Sequence, residues 1–300
     1  MSLLNPKPAA GVRSLPRNVW AVSVTSFLMD TSSEMVINLL PLFLSNVLGV
    51  KTNIIGLIEG VAEATSSLLK LFSGWLSDRL RARKWLAVAG YGISALAKPF
   101  FYVATGWGAI AGARWADRVG KGVRTAPRDA LVADSVTPAQ RGLAFGFHRA
   151  ADTAGAVLGL AIALLVVWLA QSGSAGLTAS TFRTLVLISL IPAALAVITL
   201  ALGATDVPVS GTAKAPSFGF KGLGRPFLLF MLIVGIFDPV SYTHLRAHET
   251  VLDLVCRLLL EKKNTARSEL HNSNSITKTG CNATRSHSHM RQHHINTTTI

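Results

Sequence analysis

The sequence predicts an all-α polytopic membrane protein. Two observations support this prediction. Apolar residues gather into six stretches, each near the length of about 20 residues that crosses the hydrocarbon core. Basic residues gather in alternate connections between these stretches, as the positive-inside rule expects. The stretches are 19–46, 54–77, 85–105, a segment that starts near Trp107, 143–170 and 183–203.

The first stretch carries two carboxylates near its middle, Asp30 and Glu34, which are one helical turn apart. Residues 1–17 are polar and the stretch is too long for a signal-peptide core, so no cleavable signal is expected. A charge inside the hydrocarbon region is costly, and such a residue usually binds something, forms an ion pair or carries protons. We expect Asp30 and Glu34 to bind a ligand or carry protons. The alternative is a structural ion pair, for which Lys98 in the third stretch is available.

The second stretch repeats the same spacing with Glu59 and Glu63. Glu59 lies close to the outer boundary and is expected to be solvated. Glu63 lies deeper and has two open interpretations: a functional carboxylate, or an ion pair with Lys70, which follows seven residues later on the same helix face.

A short basic turn, Gly74-Trp-Leu-Ser-Asp78-Arg79-Leu-Arg81-Ala-Arg83-Lys84, joins the second and third stretches. It resembles the loop between the second and third helices of the major facilitator superfamily, usually Gly-x-x-x-Asp-Arg-x-Gly-Arg-Arg-Arg. The chain keeps the Gly, the Asp, the first Arg and a basic end, with Arg81 or Leu80 where a second glycine is usual. The resemblance implies a cytoplasmic gate loop formed by Gly74, Asp78, Arg79, Arg83 and Lys84. A plain positive-inside loop would show a similar charge pattern.

The fourth stretch becomes charged after Trp115, with Arg114 and Arg118 on one helix face. Arg118 followed by Gly122 resembles the fourth-helix motif of the superfamily. Charges at this depth would face a bundle interior or a water-filled cavity and pair with acids. Alternatively the span ends at Trp115, and for Arg118 both interpretations stay open.

From Lys121 onward we expect a cytoplasmic connection rather than a membrane span. Pro127 and the pair Thr137-Pro138 frame a short helix of about ten residues, because a threonine followed by proline is typical of a helix start. This helix is predicted to lie along the cytoplasmic surface.

The fifth stretch contains Gly155 and Gly159, whose spacing offers a flat face for close helix packing. The pair is similar to the Gly-x-x-x-Gly-Pro motif of antiporters, but Leu160 stands where the proline is expected. Packing is therefore the preferred interpretation.

The basic connections place the N-terminus in the cytoplasm. The connections on the other side hold little beyond Lys51 and Arg183. Over residues 1–239, 21 Lys and Arg stand against 11 Asp and Glu, a net charge of +10 that this topology explains without a nucleic-acid partner. The cations assigned to the cytoplasmic side are Lys7, Arg13 and Arg17; Arg79, Arg81, Arg83 and Lys84; Lys121, Arg124, Arg128 and Arg141; and Lys214, Lys221 and Arg225.

Residues 240–300 resemble a translated sequencing adapter followed by read-through. Two segments, 240–250 and 254–263, match the two parts of such an adapter in one frame, with room for an index between them. Both cysteines, Cys256 and Cys281, and seven of the eight histidines lie in this tail, so neither metal nor thiol chemistry is expected of the remaining chain. Sequencing of the source locus tests this assignment. A native genomic copy of the adapter-like segment would exclude it.

The resemblance to the superfamily covers about residues 17–239. It implies a cytoplasmic N-terminus at 1–17, a six-helix bundle of inverted three-helix repeats at 18–203, a cytoplasmic linker at 204–225 and a truncated seventh helix at 226–239. It further implies that a second half, missing here, completes a twelve-helix protein of the inner membrane. That protein would move a small solute by alternating access, driven by an ion gradient and coupled to protons, with efflux as one direction and no cofactor.

Under this resemblance the residues expected to couple protons or bind substrate are Asp30, Glu34, Glu63, Arg114 and Arg118. No nucleophile motif, phosphate loop or metal-ligand spacing within residues 1–239 indicates an enzyme. A non-transporting receptor or assembly factor with the same fold is the remaining alternative.

Overall fold

A computed structural model describes residues 11–170, 177–207 and 229 of the chain. These residues form α-helices and two short 3-10 turns and include no strand, which confirms the all-α prediction. Of the two units into which the chain divides, one consists of 171–176 and 244–300, which lie outside the described residues. The helices belong to the other unit. The helices are α1 Arg17–Ile37, α2 Leu40–Asn46, α3 Thr52–Leu80, α4 Arg83–Val103, α5 Trp107–Asp134, α6 Arg141–Ala170 and α7 Ala179–Gly203.

The six predicted spans correspond to these helices in order. The first is interrupted between α1 and α2, where Pro41 lies in the first turn of α2 and cannot donate a backbone hydrogen bond. Four regions are long and apolar enough to cross a membrane: Arg17–Asn46, Arg83–Val103, Pro138–Ala170 and Ala179–Gly203. α3 and α5 are of similar length but carry more charge. The predicted seventh span at 226–239 lies outside the described residues except for Leu229.

The prediction for the chain after Lys121 was wrong. α5 continues without interruption to Asp134 with Pro127 inside it, and the only further helical turn before α6 is the 3-10 turn Pro138–Gln140. No separate surface helix forms within 121–140. Most of its charged side chains contact neighbouring helices, which lets the helix continue at this depth. Lys121, Arg124 and Arg128 therefore cannot be counted as loop charges for the orientation.

Helix packing relates the first three spans to the last three. α1 packs against α6 and α7, and α5 packs against α3 and α4, while α4 also packs against α7. Exchanging the two sets of three spans converts the α1–α6 contact into α3–α5 and the α1–α7 contact into α4–α5, and it leaves α4–α7 unchanged. This agrees with two three-helix repeats. α1 and α5 make few direct backbone contacts and face each other across the interior of the bundle.

Gly155 and Gly159 lie where α6 crosses α1. A Cβ atom added to Gly155 would meet the backbone oxygen of Phe27 and lie 2.9 Å from its Cα, and one added to Gly159 would meet Thr31 in the same way. Real Cβ atoms essentially never approach so closely. Both positions thus require glycine for packing, the interpretation that the sequence favoured.

Polarity in the bundle is distributed as in a membrane protein. Large apolar side chains such as Leu57, Leu96 and Leu202 are exposed, whereas charged side chains such as Lys98 and Arg114 are buried. A soluble domain would rarely bury several charges while exposing so many large apolar side chains. An apolar core nevertheless closes the end of the bundle where α1 begins and α5 ends; its members include Leu15, Val19, Val22, Tyr91, Leu131, Val132, Ala144 and Leu200.

Candidate functional site

The interior of the bundle is organised by a stripe of charge along α5. The stripe recurs every three or four residues, which keeps its members on one side of the helix. Most of its side chains are buried against neighbouring helices. The members are Arg114, Asp117, Arg118, Lys121, Arg124 and Arg128.

At one end of the stripe, Arg114 forms a bidentate ion pair with Glu59 of α3. Its Nε donates to Glu59 Oε1 at 3.0 Å and its Nη2 donates to Oε2 at 2.6 Å. Asp117 lies 3.6 Å from the same guanidinium. Glu59 was expected to be solvated, and that expectation was wrong because Arg114 binds its carboxylate. Glu59 and Glu63, one turn apart on α3, face Arg114 and Arg118, one turn apart on α5.

One turn further along, Arg118 Nε lies 3.3 Å from Glu63 Oε2. This contact favours the ion-pair interpretation for Glu63, with Arg118 as its partner rather than Lys70. For Arg118 it favours a charge that faces the bundle interior over a loop position. Gly122 lets α5 approach α3 here, because a Cβ atom at this position would lie 2.7 Å from Leu69 Cβ. The structure thus brings Glu63, Arg114 and Arg118 together on the α3–α5 interface.

Asp30 and Glu34 project from α1 into the same interior. Glu34 Oε2 accepts a hydrogen bond from Asn38 Nδ2 at 2.7 Å. Asp30 forms no ion pair or side-chain hydrogen bond with a described residue, yet its partly buried carboxylate lies within the fields of Lys121, Arg124, Arg128 and Asp152.

Sequence reasoning did not identify the buried cations near Asp30 as site residues. Lys98 Nζ donates to Ser33 Oγ at 3.3 Å. Arg124 donates from Nη1 to Ser94 Oγ at 2.7 Å and stacks over the Tyr91 ring, 4.5 Å from its centroid. The signal that could have found Arg124 is its helical register with Asp117, seven residues earlier, and Lys121, three residues earlier, which continues through the segment that was predicted as a loop.

A third group, also missed, joins α5, α1 and α6. Arg128 pairs with Asp129 at 2.9 Å, donates to Ser26 Oγ at 3.3 Å and lies 3.9 Å from Asp152. His148 is fully buried, 3.6 Å from Asp152 Oδ2, and neither ring nitrogen has a hydrogen-bond partner among the described residues.

The predicted gate loop is a tight turn between α3 and α4. Arg83 binds Asp134 at the end of α5, donates to the Ala130 carbonyl at 3.0 Å and lies 3.3 Å from Asp78. Arg81 takes the left-handed conformation, with φ of 51°, that usually favours glycine. This is the position at which the superfamily pattern has its second glycine.

The other gate-loop residues lie around this turn. Gly74 faces α5, where a Cβ atom added to the glycine would lie 3.4 Å from Ala126 Cβ. The Arg79 guanidinium lies over the Trp75 ring, and the Lys84 backbone N–H donates to Asp206 at 2.8 Å. The turn therefore ties α3, α4, α5 and the end of α7 together on one side of the bundle.

These features define a polytopic membrane protein with two three-helix repeats around a charged interior. The chain belongs to the Major Facilitator Superfamily, whose family model matches residues 22–253. That match runs past residue 239 into the segment assigned to the adapter.

The chain is 35% identical over 245 residues to an uncharacterised MFS-type transporter of Methanocaldococcus jannaschii, covering 80% of this chain and 59% of that protein. It is 37% identical over 120 residues to an uncharacterised protein of Mycobacterium tuberculosis, covering 37% and 27% of the two chains. The fold is similar to a POT family transporter in complex with 5-aminolevulinic acid, with a TM-score of 0.56 and 15% identity over 82% of this chain and 50% of that one. Both transporters match most of this chain, but the chain spans only about half of the length of each transporter.

Proposed function

We propose that this chain supplies one half of a secondary transporter that moves a small solute across the membrane by alternating access. The observation that carries the proposal is the charged interior between α1 and α5, where Asp30 faces Lys121, Arg124 and Arg128. Buried charges inside a membrane bundle mark substrate or ion pathways. In this superfamily the substrate lies near the midplane between two such halves. Family membership and the transporter neighbours favour this function over that of an enzyme.

Proton coupling is assigned to Asp30, with Glu34 beside it. Glu59 and Glu63 are engaged by arginines, whereas Asp30 has no such partner among the described residues. A carboxylate without a fixed partner can exchange its proton as the interior changes access, without first breaking an ion pair. Glu63, Arg114 and Arg118 are proposed to hold α3 against α5 around the pathway.

A transport assay on the complete protein encoded at the source locus tests the proposal. Reconstituted into proteoliposomes with an imposed proton gradient, it is expected to change the internal concentration of at least one compound in a mixture of polar metabolites, measured by mass spectrometry. Collapse of the gradient with a protonophore should remove uphill accumulation or efflux. Specific ligand binding with no flux in either direction would instead indicate a receptor that shares the fold.

We propose an inner-membrane location with the N-terminus in the cytoplasm. Arg13, Arg17 and the α3–α4 turn support this orientation. With Cys256 and Cys281 replaced by serine, a cysteine at Ala82 is expected to react with an impermeant maleimide only from the cytoplasmic side, and one at Gly106 only from outside. Labelling of the Ala82 variant on intact cells would reverse the orientation.

A further inference from the structure

Three cations in the interior form no direct ion pair. Within residues 11–170 and 177–207, the side chains of Lys98, Lys121 and Arg124 form no ion pair, whereas Arg114, Arg118 and Arg128 each form at least one. Lys98 is 3% exposed and Arg124 is 4% exposed, so water does not replace the missing partners. The buried carboxylate of Asp117 acts on Lys98 and Arg124 but forms an ion pair with neither. Buried charges without a direct ion pair are costly and mark a functional site in a membrane bundle.

The three cations belong to one electrostatic group. Ser94, which accepts from Arg124, lies one turn before Lys98 on α4, and Lys121 lies one turn before Arg124 on α5, so the three cations are neighbours. All three also act on the carboxylate of Asp30. Asp30 is nevertheless not paired with any of them. Hydroxyl groups hold two of the cations in place: Ser33 accepts from Lys98 and Ser94 accepts from Arg124.

The Arg124 guanidinium is further fixed by its stacking on Tyr91. Neutral contacts of this kind orient a cation without neutralising it. The arrangement leaves the positive charge available to an anionic group that enters between α1 and α5, where Lys121 and Asp30 are only partly buried.

We propose that these three residues form the binding site for a small anionic substrate carrying a carboxylate or phosphate group. The inference rests on the proposed transport function and names its substrate class. Arg124 presents the fork of N–H donors that suits carboxylate and phosphate oxygens, and Lys98 and Lys121 add point charges.

The site also implies the direction of coupling. A bound anion and an ionised Asp30 repel each other and compete for the same cations, so anion binding and protonation of Asp30 favour each other. The proton and the anion are then expected to cross in the same direction, which is symport. The charged groups around Asp30 are Glu34 on α1, Lys98 on α4, Lys121, Arg124 and Arg128 on α5, and Asp152 on α6.

The test uses the full-length protein in proteoliposomes with three probes of defined charge, succinate, glucose and choline, together with a polar metabolite extract. We expect the accumulated compounds to carry a carboxylate or phosphate. We also expect a proton gradient directed into the liposomes, with the outside acidic, to increase their uptake. Accumulation of neutral or cationic compounds alone would overturn the anion site while leaving transport established. If nothing accumulates beyond the level of empty liposomes, the proposed function fails as well.

Variants separate the site from general damage. Lys98→Gln and Arg124→Gln are expected to lower anion uptake at least about tenfold, as loss of a buried charge partner does. Arg124→Lys should retain part of it. Lys51→Gln, an exposed lysine between α2 and α3, is the matched control and should transport normally. Undiminished anion uptake by monodisperse Lys98→Gln and Arg124→Gln proteins would overturn the site.

Discussion

Arg114→Met is expected to lower the free energy of unfolding by about 3–5 kcal/mol, the usual cost of removing one partner of a buried ion pair. The Arg114 side chain is 1% exposed and engages both oxygens of Glu59 and, at 3.6 Å, Asp117. Methionine fills much of the space but leaves both carboxylates without this partner. Unfolding of the purified chain in mixed detergent micelles, followed by circular dichroism, measures the change.

Two further variants distinguish charge from packing. Arg149→Met removes an arginine whose side chain is 73% exposed and lies 3.7 Å from Asp152, and it should cost less than about 1 kcal/mol. The double variant Arg114→Met with Glu59→Met should recover part of the lost stability, because an apolar pair leaves one fewer buried charge uncompensated. Equal losses in Arg114→Met and Arg149→Met would show that the α3–α5 ion pair contributes little.

The spans could be predicted from the sequence because crossing a membrane imposes an apolar length on each helix. α1, α4, α6 and α7 satisfy that length directly. α5 does not, since its second half carries Arg118, Lys121, Arg124 and Arg128. Arg118, Arg124 and Arg128 contact Glu63 of α3, Ser94 of α4 and Ser26 of α1, all more than 20 positions away and outside any local window of sequence. The sequence therefore predicted a loop where the structure has a helix.

The candidate site, like the spans, was predictable in part. A carboxylate such as Asp30 or Glu34 in an apolar stretch is conspicuous, and the structure places both in the interior. Lys98 was noticed only as a possible ion-pair partner, and the structure instead gives it a serine hydroxyl. Which acid pairs with which base depends on helix packing, so the pairing of Glu59 with Arg114 could not be read from spacing alone.

Asp30→Asn is expected to abolish gradient-driven transport by the full-length protein while sparing its expression. Asparagine keeps the size of the side chain and most of its hydrogen bonding but cannot titrate. Asp30 forms no ion pair with a described residue, so the substitution leaves no cation newly unpaired at close range. Under an imposed proton gradient, the internal concentration of radiolabelled substrate should rise only until it equals the external concentration. Exchange of internal for external substrate should persist.

The combination of lost accumulation and retained exchange identifies a coupling residue, because exchange requires the substrate site and the conformational change but no net proton movement. Asp206→Asn is the matched control: Asp206 is exposed, and an asparagine oxygen can still accept from the Lys84 backbone N–H at the 2.8 Å separation seen here. This variant should accumulate substrate normally. If Asp30→Asn accumulates substrate to the wild-type level with an unchanged dependence on pH, Asp30 carries no proton, and the coupling must reside in another carboxylate, of which Glu34 is nearest in sequence.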